Sequence, residues 1–335
     1  MEEISLSDLI KALGTDSSTV YVAPLINHQH PDSDYLYNLY KPIITSNSQI
    51  EVKSVSVFTH FKPFFTTLFS RNVVFHYHWL EFQDIKSLMG MPWKLIWILL
   101  YKLVGGKLIW TIHNEEPHDQ KFLSMHLFLH KTMARLANAI HVHCATAGKT
   151  MSAKLGVSLT KFHVIPHPSF PAKSIPRKES IETLNTSFGL DLEPSKPLAL
   201  IFGQISHYKQ IEEILVDFRD DDSIQFLIVG TVKKGNEELG ESLRRLASEY
   251  SHIHLIDTFI KDSHLPFIFN ASDVCLFNYK RLLTSGGVHM ALSYNIDIIA
   301  PKLGCIAELE SNPSVFLFET NTERTAMIRN ITKHG

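Results

Sequence analysis

Short apolar runs alternate with longer stretches of helix-like periodicity from one end of the chain to the other. In the first half, TVYVAPLI (19–26), IEVKSVSVF (50–58), NVVFHYHW (72–79), KLIWTIH (107–113), AIHVHCA (139–145) and KFHVIPH (161–167) read as short buried strands. A second series runs through PLALIFG (197–203), IQFLIVG (224–230), HIHLIDTFI (252–260), DVCLFNY (273–279), IDIIAP (296–301) and SVFLFE (314–319). Helical stretches intervene, among them DYLYNLYKPI, KPFFTTLFS, FLSMHLFLHKTMARLAN, NEELGESLRRLASEY and GGVHMALSY. Apolar strands separated by helices imply parallel sheets covered on both faces. The expected fold class is α/β, with two Rossmann-like doubly wound domains facing each other across a cleft. At 335 residues the chain exceeds one ordinary core. The first domain is expected over 1–172 and the second over 196–335. Between them, 173–195 reads as a linker, from the Pro, Ser and charge density of PHPSFPAKSIPRKES and LDLEPSKP.

Composition narrows the class. Hydrophobic residues make up 44% of the chain and charged residues 20%, which suits a globular protein. The formal net charge of −2 argues against a surface built to coat nucleic acid. Three well-separated cysteines without CxxC spacing point to a reducing compartment and away from a zinc site. The start, MEEISLSDLI, has no positive or apolar signal-peptide region, so a cytoplasmic location is expected. MPWKLIWILLYKLVGGKLIW holds only a seven-residue uncharged apolar run, LIWILLY. Spanning a bilayer takes about 20 apolar residues. The segment reads either as a helix packed on a sheet, or as one whose Trp93, Trp97, Lys94 and Lys102 touch the cytoplasmic face of the inner membrane.

Doubly wound domains bind ligands at strand carboxyl ends. In the first half those ends carry Asn27 and His28, then His76, His78 and Glu81, then His113, Asn114, Glu115, Glu116 and His118. In the second half they carry GQISHYK (203–209), GTVKK (230–234) and YKRLLTSGG (279–287). Ser285, Gly286 and Gly287 precede a helix, where exposed N–H groups and the helix dipole favour an anion. Thr284 or Ser285 can cap that helix. Lys209, on the loop after Gly203, can neutralise a diphosphate. Neither GxxxxGK[ST] nor GxGxxG follows a strand, so P-loop and dinucleotide readings lose their support. The His-x-His pairs at 76/78 and 141/143 share strand faces, yet lack a third ligand, so no metal is assigned; His141 and His143, mid-strand among apolar residues, read as packing, while His76, His78 and Glu81 sit nearer a strand end, where they can line the acceptor side.

KLIWTIHNEEPH, FHVIPHPSF, LIFGQISHYKQIEEIL and DVCLFNYKRLLTSGGVHMALSYNIDIIAPKLGCIAEL occur in this order over nearly the whole chain. Together they resemble the GT-B-fold glycosyltransferases of the large retaining family that uses nucleotide sugars, which includes bacterial exopolysaccharide mannosyl- and glucosyltransferases. The resemblance implies that His113 lies near the sugar being transferred. It implies that Lys209, with Gly203, Ser285, Gly286 and Gly287, lies along the donor diphosphate, and that Glu308 marks the family's late Pro-Glu turn. The sequence departs from the pattern at Gln204, where the family has arginine, and at Gln210 and Ala307. Leu282 and Met290 stand where the family has a pair of glutamates.

The chemistry has its own logic. Glycosyl transfer leaves negative charge on the departing diphosphate, which cationic and N–H groups stabilise. The acceptor hydroxyl needs a group to orient or deprotonate it. The expected donor-binding set is Gly203, Gln204, Lys209, Thr284, Ser285, Gly286, Gly287 and Glu308. The catalytic candidates are His113, Glu116 and His118, with His28, His78, Glu81 and Asn114 on the acceptor side. The expected reaction moves a hexose from a UDP- or GDP-sugar to a saccharide or lipid-linked saccharide, with no metal and no cofactor beyond the donor. A sugar-nucleotide epimerase and a non-catalytic sugar-nucleotide-binding subunit stay open as alternatives.

Overall fold

The computed structural model describes residues 2–14, 18–46, 49–80, 90–117 and 122–331. The chain divides into two compact units, Met1–Pro168 and Ser169–Gly335. Each contains a six-stranded parallel sheet.

In the first unit the strands are β1 (Thr19–Ala23), β2 (Glu51–Ser54), β3 (Val73–Tyr77), β4 (Lys107–Thr111), β5 (Ala139–Val142) and β6 (Phe162–Val164), in the order β2-β1-β3-β4-β5-β6. The second unit holds β7 (Leu198–Phe202), β8 (Gln225–Val229), β9 (Ile253–Ile256), β10 (Val274–Leu276), β11 (Asp297–Pro301) and β12 (Val315–Phe318), in the order β12-β11-β10-β7-β8-β9. Every apolar run read as a strand contains one, usually trimmed at the carboxyl end where the chain turns out of the sheet. The strand order reverses between β1 and β3 in one sheet and between β7 and β10 in the other. Such switch points open a crevice at the strand carboxyl ends.

The helices are α1 (Leu6–Leu13), α2 (Tyr35–Thr45), α3 (Lys62–Phe69), α4 (Met91–Leu103), α5 (Leu123–Leu136), α6 (Ala145–Leu155), α7 (Arg177–Phe188), α8 (Ile211–Asp217), α9 (Glu237–Glu249), α10 (Leu265–Ala271), α11 (Gly286–Ser293) and α12 (Asn321–Ile331). The expected linker, 173–195, is not one. It carries α7, whose Ile181 and Leu184, with Leu192 beyond, are buried in the second unit's core. Pro and charge density mark the ends of that helix, and its apolar stripe is short.

Alternation along the second unit's strands explains its two-sided cover. Leu198 and Leu200 of β7 join one core with Leu227 and Val229, while Ala199 and Ile201 join the other with Phe226 and Ile228. The first unit is different on one face. At the amino ends of its strands, Val74, Ile109 and Ala139 pack with Ile10, Tyr40 and Ile43. Further along the same face, the period of two brings His76 and His78, Thr111 and His113, and His141 and His143, all buried. The face grades from apolar to polar toward the carboxyl edge. Helix α2 covers it, capped by Asp34, whose carboxylate accepts from the Tyr37 amide.

Candidate functional site

In the second unit the chain leaves β7 through Gly203, whose φ of +95° a side chain would strain. A short turn, His207–Lys209, brings Lys209 back beneath the strand end. Its ammonium donates to the Phe202 carbonyl at 2.8 Å. A Cβ on Gly203 would sit 3.0 Å from that nitrogen. Lys209 is only 7% exposed, and no described carboxylate forms an ion pair with it. Burial pulls its pKa down to about 8, against a weaker opposite effect from Cys275, whose own thiol burial pushes up and keeps neutral. A buried cation without a counter-charge is costly, and an anion relieves that cost.

The loop after β10 is stitched to this turn. The Asn278 amide donates to the Gln210 carbonyl at 3.1 Å, and the Lys280 amide to the Tyr208 carbonyl at 2.9 Å. The Tyr208 and Tyr279 rings stack, 5.7 Å apart. The Tyr279 hydroxyl lies 2.9 Å from Ser285 Oγ, which caps α11 by accepting from the Val288 amide. Thr284 Oγ1, just ahead of the cap, is buried with no hydrogen-bond partner. A Cβ on Gly287 would press within 3.1 Å of the Phe277 ring. The loop after β11 joins them: the Cys305 amide donates to the Leu283 carbonyl at 2.8 Å, and the same turn, Gly304–Leu309, carries exposed Glu308. All eight donor-binding candidates thus lie on three loops at one carboxyl edge, around the β7–β10 switch point. Gln204 is exposed beside Gly203. Leu282 packs on the core and Met290 is buried in it, so neither position offers a carboxylate.

In the first unit His113 follows β4 and stacks on Trp79, with centroids 4.2 Å apart and planes 10° off parallel. Its Nε2 lies 3.1 Å from His78 Nδ1. Tyr35, the first residue of α2, sits against His113 at 4.9 Å, His143 at 5.5 Å and His167 at 5.0 Å. Below them runs a chain of hydrogen bonds whose direction is fixed at one end. The Ile165 carbonyl can only accept, so His141 Nε2 donates to it at 3.0 Å. His141 Nδ1 then accepts from the Thr111 hydroxyl at 2.8 Å, and Thr111 accepts from His76 Nε2 at 2.7 Å. The Tyr40 hydroxyl donates to His76 Nδ1. His143 Nδ1 donates to the same carbonyl at 3.1 Å, leaving its Nε2 to accept from Tyr35 at 3.1 Å.

This array is held neutral. Burial drives His76 down to about 3, with His113 adding to the shift. Burial, then neighbouring histidines, also pull His78, His113 and His141 well below the usual imidazole range. His78 Nε2 is buried without a partner. An unpaired buried N–H is rarer and costlier than an unpaired acceptor, so the proton belongs on His78 Nδ1, donating to His113 Nε2. His113 then carries its own proton on Nδ1, which makes no hydrogen bond among the described residues.

The other expected residues fall as follows. His78 is fully buried and touches His113 rather than lining an open surface. His28 is exposed, packed edge-on to Tyr37 at 5.7 Å. Asn114 is half-buried beside His113. Glu115 and Glu116 both bind Lys154, at 2.8 and 2.6 Å, and line a separate 160 Å³ cavity with His126 and His130. Glu81 and His118 lie outside the described residues. Tyr35, Trp79 and His167 escaped sequence reading, although Tyr35 follows an Asp cap at the start of a helical run. A larger cavity, 610 Å³, opens among Arg177, Asp273 and Asp297. It lies at the amino edge of the second sheet, opposite the edge where such folds bind ligands. Among the described residues no group of three or more His, Cys, Asp or Glu is arranged to hold a metal.

No protein-family model matches the chain, and no curated protein does. Solved structures do. Anabaena HepE in complex with UDP aligns with 94% of this chain and 90% of its own, at 14% identity and a TM-score of 0.66. Sucrose-phosphate synthase from Thermosynechococcus elongatus aligns over 95% and 90%, at 12% identity and 0.64. An α,α-trehalose-phosphate synthase (UDP-forming) from Burkholderia vietnamiensis aligns over 96% and 92%, at 9% identity and 0.64. The fold is therefore GT-B, the two-sheet α/β fold of these proteins.

Proposed function

We propose that the chain is a glycosyltransferase that moves a hexose from a UDP- or GDP-sugar to a saccharide or lipid-linked saccharide, in polysaccharide or glycoconjugate synthesis. The observation that carries this reading is Lys209: a buried, uncompensated ammonium at a strand carboxyl end, tied through Tyr208, Tyr279 and Ser285 to a helix N-terminus. That is the environment a diphosphate leaving group needs. Lys209, the Thr284 hydroxyl and the 285–287 amides would stabilise the diphosphate as the anomeric bond breaks. The similarity to HepE, solved with UDP and with UDP-glucose, supports UDP-glucose as the first donor to try.

On the acceptor side, a neutral His113 presenting Nδ1–H is a positioning donor rather than a strong base. It suits a transfer in which the diphosphate oxygen takes the acceptor proton. Lys154 already holds Glu116, which favours His113 as the group that meets the sugar. Met290, buried where the resemblance expects a glutamate, favours a second reading, a non-catalytic subunit that binds sugar nucleotides. Pure protein incubated with UDP-glucose or GDP-mannose decides between them. Slow release of UDP or GDP supports the transferase, interconversion of sugars an epimerase, and a thermal shift without turnover the binding subunit. Absence of any nucleotide-dependent thermal shift would overturn all three.

A further inference from the structure

Helices α3 and α4 cover the face of the first sheet opposite the histidines, with Tyr101 of α4 packed on Phe75 at 5.8 Å and hydrogen-bonded to the Val73 carbonyl. Their outer sides are apolar. Phe58 is 83% exposed, Phe69 90% and Leu103 81%. Phe65, Leu68, Trp93, Ile96 and Leu99 are each exposed as well. Of the 20 large apolar side chains that are exposed among the described residues, nine fall within 57–69 and 93–103. They form one surface. Trp97 touches Phe61, Phe64 and Phe65 at 5.7–6.0 Å, Trp93 meets Trp97 at 5.4 Å, and the Trp93 ring nitrogen donates to the Val57 carbonyl at 2.9 Å. On α4 the exposed positions 93, 96, 99 and 103 keep helical spacing, so a stripe that usually faces a core faces outward.

The described residues around this surface are mainly basic. Residues 52–80 and 90–114 contain six lysines and arginines and no aspartate or glutamate, in a chain of net charge −2; of the six, Lys53 is paired with Glu51 at 2.6 Å. Lys62 opens α3, and Arg71 follows it close to Gly105 beyond α4. A second copy would bring like charges together. Anionic headgroups are attracted instead, and tryptophans with apolar neighbours settle at a headgroup boundary. No described helix is long and apolar enough to cross a membrane, and the 13-residue α4 falls well short of a span. We propose that this face docks, lying in the interface, on the surface of an anionic phospholipid bilayer.

Vesicle flotation without any sugar nucleotide tests this apart from the transferase reading. The full chain should float with phosphatidylcholine vesicles containing about a third phosphatidylglycerol, and much less with phosphatidylcholine alone. Trp93 and Trp97 emission should shift to the blue on binding. Phe69→Ser with Leu103→Ser should lower partitioning at least ~10-fold. Both side chains are solvent-exposed, so the fold should survive. Lys62→Glu with Arg71→Glu should lower it roughly fivefold or more per charge, as should high salt. Phe259→Ser, a change at an exposed apolar side chain (60%) in the second unit, should leave it unchanged. Equal binding to neutral and anionic vesicles, patch variants that float like wild type, or an equal loss with Phe259→Ser would each overturn the proposal. So would patch variants that convert a dimer to a monomer without any change in flotation.

Discussion

The two sheets solve opposite electrostatic problems at their carboxyl edges. The first unit buries a row of imidazoles and keeps His76, His78, His113 and His141 neutral, with Tyr40, Thr111 and the Ile165 carbonyl dictating where the protons of His76 and His141 sit. The second buries one ammonium and leaves it without a counter-ion. A neutral array can orient a hydroxyl and pass over charge; an unpaired cation recruits an anion. The same fold therefore supplies two chemistries from side-chain choice alone, since loops at strand ends are free to differ once the sheet is built.

Acid should break that comparison most strongly. His76, His78, His113 and His141 have folded-state pKa values below the unfolded value, so between about 6.5 and those lower values the unfolded chain binds more protons. Their contribution is complete above pH 6.5 and is lost as pH falls. The first unit should lose roughly 2–5 kcal/mol between pH 6.5 and 5.5. Lys209 has the same sign in a higher window: its folded pKa is lowered to about 8, so stability rises as pH climbs from about 8 toward 10.5. All four tryptophans, at 79, 93, 97 and 110, lie in the first unit. Urea midpoints followed by tryptophan fluorescence therefore report that unit alone, and a midpoint that does not move between pH 7 and 5.5 would refute the neutral array.

The next two effects separate turnover from binding. His113→Ala should cut turnover by at least ~100-fold and leave nucleotide affinity nearly intact, as expected of a group at the reacting centre. Near-normal turnover would remove His113 from the chemistry. Lys209→Ala should weaken nucleotide-sugar binding by about 1.5–3 kcal/mol, roughly 10- to 150-fold, because a charge-assisted contact is lost. Calorimetry showing wild-type affinity, with the fold intact, would take the diphosphate elsewhere.

The fold was legible because continuous apolar strands announce themselves by length and by their polar boundaries. All twelve appear where TVYVA, VVFHY, LALIF and their counterparts stand. The grouping at the β7–β10 switch point was legible for a similar reason: Gly203, Lys209 and TSGG sit in chain order at strand ends, and strand order alone gathers them. The histidine array was harder. His141 and His143 read as packing residues and His76 as a strand-end residue, and only the register that sets Thr111 beside His141 reveals the hydrogen-bonded chain. Tyr35, Tyr40 and Lys154 arrive from other elements, and no local spacing announces them. α7 was mistaken for a linker because prolines flank it on both sides while its apolar stripe is only Ile181 and Leu184 deep.

The smallest effect is the most discriminating. Thr284 Oγ1 is buried with no partner, an arrangement that costs stability unless a ligand completes it. Replacing that hydroxyl by a methyl group keeps the shape and removes the desolvated polar atom. Thr284→Val should therefore leave the melting temperature unchanged or raise it slightly, since an unsatisfied group is lost and no hydrogen bond with it. Donor affinity should move the other way, falling by about 0.5–1.5 kcal/mol, or up to roughly tenfold, if the hydroxyl donates to the bound diphosphate. Stability and affinity shifting in opposite directions is a signature that a packing residue does not produce. Should both fall together, Thr284 is structural, and the site beside Lys209 is closed by other groups.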